Sequence, residues 1–134
     1  MRLIRQAIQT PDGTIIESRH RHDYVTHVDV VTGETYMVDG GIDYCRQNIN
    51  RVPAKDLSVY LEDGIEAVRE ACTWGTYGKN GDQPRRLVKL KDMSDDHIEA
   101  CLDNQLNMHP HYREAFEMEL VYRNLNNITV PDTW

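Results

Sequence analysis

The sequence predicts an α+β fold: an N-terminal antiparallel β-meander followed by helices, with the C-terminal helix at an oligomer interface. Two observations carry the fold class. Residues 1–60 alternate β-branched and polar positions between strong turn signals, whereas residues 61–134 show helical spacing behind recognisable caps, with one further strand. At 134 residues the chain is read as a single domain, long enough for a real core.

The first strand is read at residues 2–9. Pro11-Asp12-Gly13 turns the chain, because proline presets φ and glycine accepts a positive φ, and residues 14–22 return as the hairpin partner. Residues 24–31 are rich in β-branched side chains, with Tyr24, Thr26, Val28 and Val30 on one face. Thr32-Gly33 then turns into a strand at 34–39. Asp39-Gly40-Gly41 ends the meander, either as a tight turn or as a place where something approaches the backbone closely. Residues 42–56 carry no decisive pattern, and a short strand follows at 57–60.

Leu61, Ile65, Val68 and Cys72 follow helical spacing, with Glu62, Glu66 and Glu70 outside, which predicts a helix over 63–73. Trp74-Gly75-Thr76-Tyr77-Gly78-Lys79-Asn80-Gly81-Asp82-Gln83-Pro84 lacks the Gly-x-x-x-x-Gly-Lys-Ser/Thr pattern of a phosphate loop and reads as a surface loop over Trp74. Its composition, with Arg85 and Arg86 behind it, nevertheless suits stacking a base and holding a phosphate. A strand is expected over 87–91. Ser94 is placed as an N-cap for a helix over 95–105, and Pro110 opens a longer helix over 110–125. That last helix is apolar on more than one side, which predicts that a second copy of the chain covers part of it.

Composition excludes several classes. Hydrophobic residues make up 40% and charged residues 28%, and no run reaches the roughly 20 apolar residues of a membrane span. Met1–Arg5 carries no signal-peptide pattern, and Cys45, Cys72 and Cys101 are odd in number and widely spaced, so reduced thiols in a cytoplasm are expected. Cys72 and Cys101 fall on apolar helix faces and read as core. A net charge of −7 weighs against binding a nucleic-acid duplex but leaves room for a small anion beside local cations.

The densest cluster of chemistry-bearing residues is Ser18-Arg19-His20-Arg21-His22-Asp23. On an extended strand His20 and His22 would share one face and Arg19 and Arg21 the other. The arginine face suits a phosphate clamp, since the guanidinium fork matches two oxygens at once, or equally a solvated strand end. The histidines supply two metal ligands, with Asp23, His27, His109 and His111 as candidates for more, but no convincing third. No metal or cofactor is therefore assigned. His97, Asp103 and Asn104 read as helix surface. No nucleophile motif, zinc-protease motif or dinucleotide fingerprint is present.

Pro11-Asp12-Gly13-Thr14, Ser18-Arg19-His20-Arg21-His22-Asp23-Tyr24-Val25-Thr26, Tyr36-Met37-Val38-Asp39-Gly40-Gly41 and Trp74-Gly75-Thr76-Tyr77-Gly78-Lys79 through Leu90-Lys91-Asp92 together resemble small phage proteins of the anti-Thoeris type. The resemblance is to the first-described sponge family, which sequesters cyclic ADP-ribose signals made by bacterial TIR proteins, and it covers roughly residues 2–106. It implies a non-enzymatic binding protein of the host bacterial cytoplasm, assembled from dimers, with nucleotide pockets where subunits meet. In some members a hexamer also holds cyclic trinucleotides. Such a ligand needs arginines for phosphate, an aromatic for the purine and an Asn or Asp for ribose hydroxyls. The candidates are Arg19 and Arg21, then Arg113 and Arg123, then Arg46 and Arg51, with Trp74 and Asn104. Two other readings stay open: a metal-dependent phosphoesterase using His20 and His22, and a structural or protein-binding phage component.

Overall fold

A computed structural model of the protein describes residues 1–131. The fold is mixed α+β, with antiparallel strands first and helices after them. It comprises two compact units, one of Leu3–Tyr60 and one running from Leu61 onward and including Arg2.

The first unit contains two small sheets. β1 (Leu3–Gln9) pairs antiparallel with β2 (Ile15–Ser18) along one edge, with Ile8 opposite Ile16. After β3 (Val25–Val28), β4 (Thr35–Asp39), the single helical turn α1 (Gly41–Tyr44) and β5 (Arg46–Gln47), the chain returns to β1 through β6 (Lys55–Asp56) and β7 (Val59–Tyr60). The other sheet has the order β3-β4-β5. Ile8, Ile16, Tyr36 and Val38 form the core, with Val25 and Ala54 against them. These are large or branched side chains on pleated strands, each worth about 1.5–3 kcal/mol when fully buried.

One expectation changes here. The strand expected over 14–22 stops at Ser18, so β2 and β3 belong to separate hairpins rather than to one continuous meander. Local hydrogen bonds end it: the Ser18 hydroxyl donates to the Asp23 carbonyl at 2.7 Å, and the Asp23 carboxylate accepts the Arg19 N–H at 2.7 Å. His22 adopts a left-handed backbone, φ 63°. Residues 19–23 are thus a turn, and the alternating faces assigned to Arg19/Arg21 and His20/His22 do not exist. Tyr24, Thr26, Val28 and Val30 share a face, as their alternation predicts, and it is the exposed one, while Val25, His27 and Asp29 turn inward.

The two hairpin turns are tied by carboxylates. Asp29, fully buried, accepts the N–H of Asp12 at 2.7 Å and of Thr32 at 2.8 Å. Asp12 in turn accepts the N–H of Thr14 and Val30 and contacts His27 Nε2 at 2.8 Å.

The second unit begins with a 3-10 turn, Leu61–Asp63, and α2 (Ile65–Ala71). The expected surface loop holds for residues 77–84, but its first residues form an unexpected strand: β8 (Thr73–Thr76) pairs with β9 (Arg86–Lys89), Trp74 opposite Val88 and Thr76 opposite Arg86. α3 (Asp95–Asn104) starts where its cap predicts, the Ser94 hydroxyl accepting the His97 N–H. α4 (Pro110–Leu125) has Pro110 in its first turn and His109 as its cap. Val68, Cys72, Leu90, Met93, Ile98 and Phe116 fill the core. Burial pushes the Cys72 thiol up to about 12, as expected of a core cysteine. Cys101 is buried as well, and Cys45 is exposed.

Candidate functional site

The turn at 19–23 is held by its own chain. Arg19 pairs with Glu17 at 3.2 Å, and Arg21 Nε donates to His22 Nε2 at 3.3 Å. The Tyr44 hydroxyl lies 3.2 Å from His22 Nδ1 and donates to Asp39, which also pairs with Arg46 at 2.8 Å. Burial opposes the charge on Asp39, but hydrogen bonds from Arg46 and Tyr44 outweigh it and hold the carboxyl below its usual range. Gly41 explains the paired glycines. At φ 50° its missing Cβ would stand 2.7 Å from the His20 backbone nitrogen, so the close approach is made by the chain itself.

The histidines do not converge either: His20 Nδ1 faces the Arg21 carbonyl at 2.9 Å, and His22 faces Tyr44. Among the described residues, a three-residue group with ligand atoms within 4.8 Å of one another is Asp12, His27 and Asp29. Its carboxylates accept the hydrogen bonds that close two turns, which accounts for their burial and keeps Asp12 well below the usual carboxylate range, chiefly through His27.

Three other candidate arginines have structural work or lie apart from the rest. Arg123, 3% exposed, pairs with Glu119 at 2.7 Å and Asp95 at 2.6 Å and donates to the Leu90 and Lys91 carbonyls. Such a guanidinium is unavailable to a ligand. Arg113 donates to the Leu102 and Gln105 carbonyls at 3.1 Å each, satisfying the orphan acceptors at the end of α3. Arg51 is exposed, and its backbone N–H donates to Glu34.

Two candidates are brought together. Trp74 on β8 and Asn104 at the end of α3 line one cleft of about 340 Å³. Trp74 is positioned by edge contacts with Phe116, ring centroids 5.4 Å apart, and with Tyr112 at 6.5 Å. Thr76 and His97, 5% and 3% exposed, add polar side chains to the wall. His97 was read as helix surface, and the helix turns it inward. His97, Cys101 and Asn104 recur at i, i+4 and i+7, the spacing of one helix face, and that is the signal by which the wall could have been found. The Cys101 thiol, pushed up to about 11 by burial, stays protonated at neutral pH.

Beyond the cleft, the hairpin loop encloses a second concavity of about 500 Å³, lined by Lys79, Asn80, Asp82, Gln83, Arg85 and Arg86, three cations against one carboxylate. Gly78 and Lys79 line both. The loop spends several amides on itself: Gly78 N–H donates to Thr76 Oγ1, Gly81 N–H to the Gly78 carbonyl and Gln83 N–H to the Tyr77 carbonyl. Recognition of an anion there falls to the side chains of Lys79, Arg85 and Arg86, of which only the composition of the loop had given notice. No protein-family model, curated protein or solved structure matches the chain.

Proposed function

We propose that the protein binds and sequesters a cyclic ADP-ribose-type signal nucleotide in the cleft between the β8–β9 hairpin and α3, without cleaving it. One observation carries this reading: an aromatic, polar cleft opens beside a cationic concavity, and the two share Gly78 and Lys79 as a common wall. The base stacks at Trp74, ribose hydroxyls meet Thr76, His97 and Asn104, and the diphosphate lies toward Lys79, Arg85 and Arg86. Both volumes fall within the 300–1,000 Å³ of small-molecule sites. The sequence resemblance to anti-Thoeris sponges supports the same chemistry and gives it a setting, a phage protein that starves a defence receptor in the host bacterial cytoplasm. No helix among the described residues is long and apolar enough to cross a membrane.

The reading includes a homo-oligomer, in line with the dimers and hexamers of the family it resembles. Val121 and Leu125 on the outer face of α4 are 57% and 75% exposed, beside Met118 and Ile65 in a shallow apolar groove. A second copy of this chain covers that face, and light scattering at micromolar concentration should give at least twice the 15.6 kDa chain mass.

The deciding experiment is to incubate the protein with a cyclic ADP-ribose isomer, remove unbound nucleotide, denature by heat and analyse what is released. Intact nucleotide in stoichiometric amount supports sequestration. A changed product would make the protein an enzyme, and no retained nucleotide would end the proposal.

A further inference from the structure

Gly75 is the one glycine of the hairpin's strands, and its backbone does not call for glycine. It lies within β8 opposite Leu87, and its φ is outside the left-handed region that Gly78 and Gly81 occupy. Glycine within a strand weakens it, through lost entropy and the missing side chain, so its presence marks a place where another group comes close. That group is the Arg85 head. A Cβ at position 75 would stand 2.7 Å from Arg85 Nε, 2.7 Å from Nη2 and 2.9 Å from Cζ, all three inside contact distance. The guanidinium rests where a side chain of residue 75 would be.

The location gives this packing a use. Gly75 lines the aromatic cleft and Arg85 lines the cationic concavity, so the guanidinium is seated where the two adjoin. We propose that Gly75 is a positioning residue, whose bare Cα seats the Arg85 guanidinium at this junction as the fork that grips the diphosphate. This deepens the proposed nucleotide site and rests on it. A planar fork engages two phosphate oxygens only when held at the right angle, so affinity depends on the seat as well as on the charge. Any side chain at position 75 pushes the fork away. What must move is the end of a flexible side chain, so Gly75→Ala should fold normally, and it removes a glycine from a strand.

The test compares the parent chain with Gly75→Ala, Arg85→Ala and the double variant, by thermal melting and by calorimetric titration with two probes, inorganic pyrophosphate and cyclic ADP-ribose. Arg85→Ala should weaken pyrophosphate binding roughly ten-fold or more, about the value of a charge-assisted hydrogen bond. Gly75→Ala should weaken it by about five-fold or more while its melting temperature stays level or rises, and the double variant should bind no worse than Arg85→Ala alone, since both changes remove one interaction. Binding by Gly75→Ala equal to the parent would overturn the inference, as would additive losses in the double variant, which would mean that Gly75 acts by another route. Arg85→Ala binding like the parent, or a parent that binds no pyrophosphate, would overturn it as well. The nucleotide probe separates this from the broader proposal. If pyrophosphate binding shows the expected pattern but cyclic ADP-ribose is not bound, the seat stands and the proposed ligand falls. If cyclic ADP-ribose binds with an affinity indifferent to both residues, the proposed ligand stands and the seat falls.

Discussion

The turn at residues 19–23 and the hairpin at 73–89 each carry two arginines, yet they use them in opposite ways. In the first, polar groups face one another. Glu17 holds Arg19, Asp39 holds Arg46, Asp23 closes the turn, and Gly41 lets the chain lie against His20. In the second, Trp74, His97 and Asn104 surround a cleft, and Lys79, Arg85 and Arg86 surround a concavity beside it. A run of cations in a sequence therefore announces a site only if the fold leaves those cations around a space.

This contrast can be broken most forcefully through Arg123, which sequence reasoning counted among the ligand arginines. Arg123→Ala would strand the fully buried Glu119 with Arg69 as its remaining partner and remove a donor from the Leu90 and Lys91 carbonyls. Breaking a buried ion pair from one side costs about 3–5 kcal/mol. Chemical denaturation should show a loss of that size. A variant as stable as the parent that had lost nucleotide binding would return Arg123 to the ligand site.

The next effect tests the first region as a structural clasp. Gly41→Ala places a Cβ against the His20 backbone at a positive φ, where neither partner is a flexible tip. Strain of this kind costs about 1–3 kcal/mol. The melting temperature should fall, and nucleotide affinity per folded molecule should not change. Were affinity to fall with no loss of stability, the turn would be part of a binding site after all.

A smaller effect concerns pH. The Asp12 carboxyl in the folded protein titrates below its ordinary value, with His27 the leading cause. A group with its pKa depressed by folding contributes stability that is fully present above the unfolded pKa, about 3.9 for Asp, and is lost as the pH falls below it. Asp12→Asn should therefore lower stability at neutral pH and flatten the acid limb of a stability profile below about pH 4. An unchanged acid limb would show that this carboxylate does not tie the two turns.

Cap chemistry made the helices legible. Ser94 and Pro110 begin α3 and α4 where local rules place them, because a cap is set by residues within one turn of one another. The same locality explains why the end of β2 was missed. Its alternating pattern continues past Ser18, and what stops it is Asp23 reaching back to Arg19 and Gly41 donating its N–H to the Ser18 hydroxyl from 23 residues away. Which face of β3 is covered was not legible, for a related reason. Periodicity tells which residues share a face, and only packing tells which face is covered. At the site, Trp74 and Asn104 were legible from residue type alone. His97 and Thr76 were hidden, one by a helix whose buried side was not yet known and the other by a glycine-rich stretch that resembled a loop. The pairing of β8 with β9 across the loop brings Arg85 back beside Gly75, and no short-range pattern encodes it.

Calorimetric titration of cyclic ADP-ribose into Lys79→Ala and Arg21→Ala, side by side with the parent, tests the central claim most directly. Lys79 lines both the cleft and the concavity, whereas Arg21 contacts His22 in the turn. The dissociation constant should rise about ten-fold in Lys79→Ala, the value of one charge-assisted contact, and stay within about two-fold of the parent in Arg21→Ala. The opposite ranking, with Arg21→Ala weakened and Lys79→Ala unchanged, would contradict the account and move the site from the hairpin to the turn.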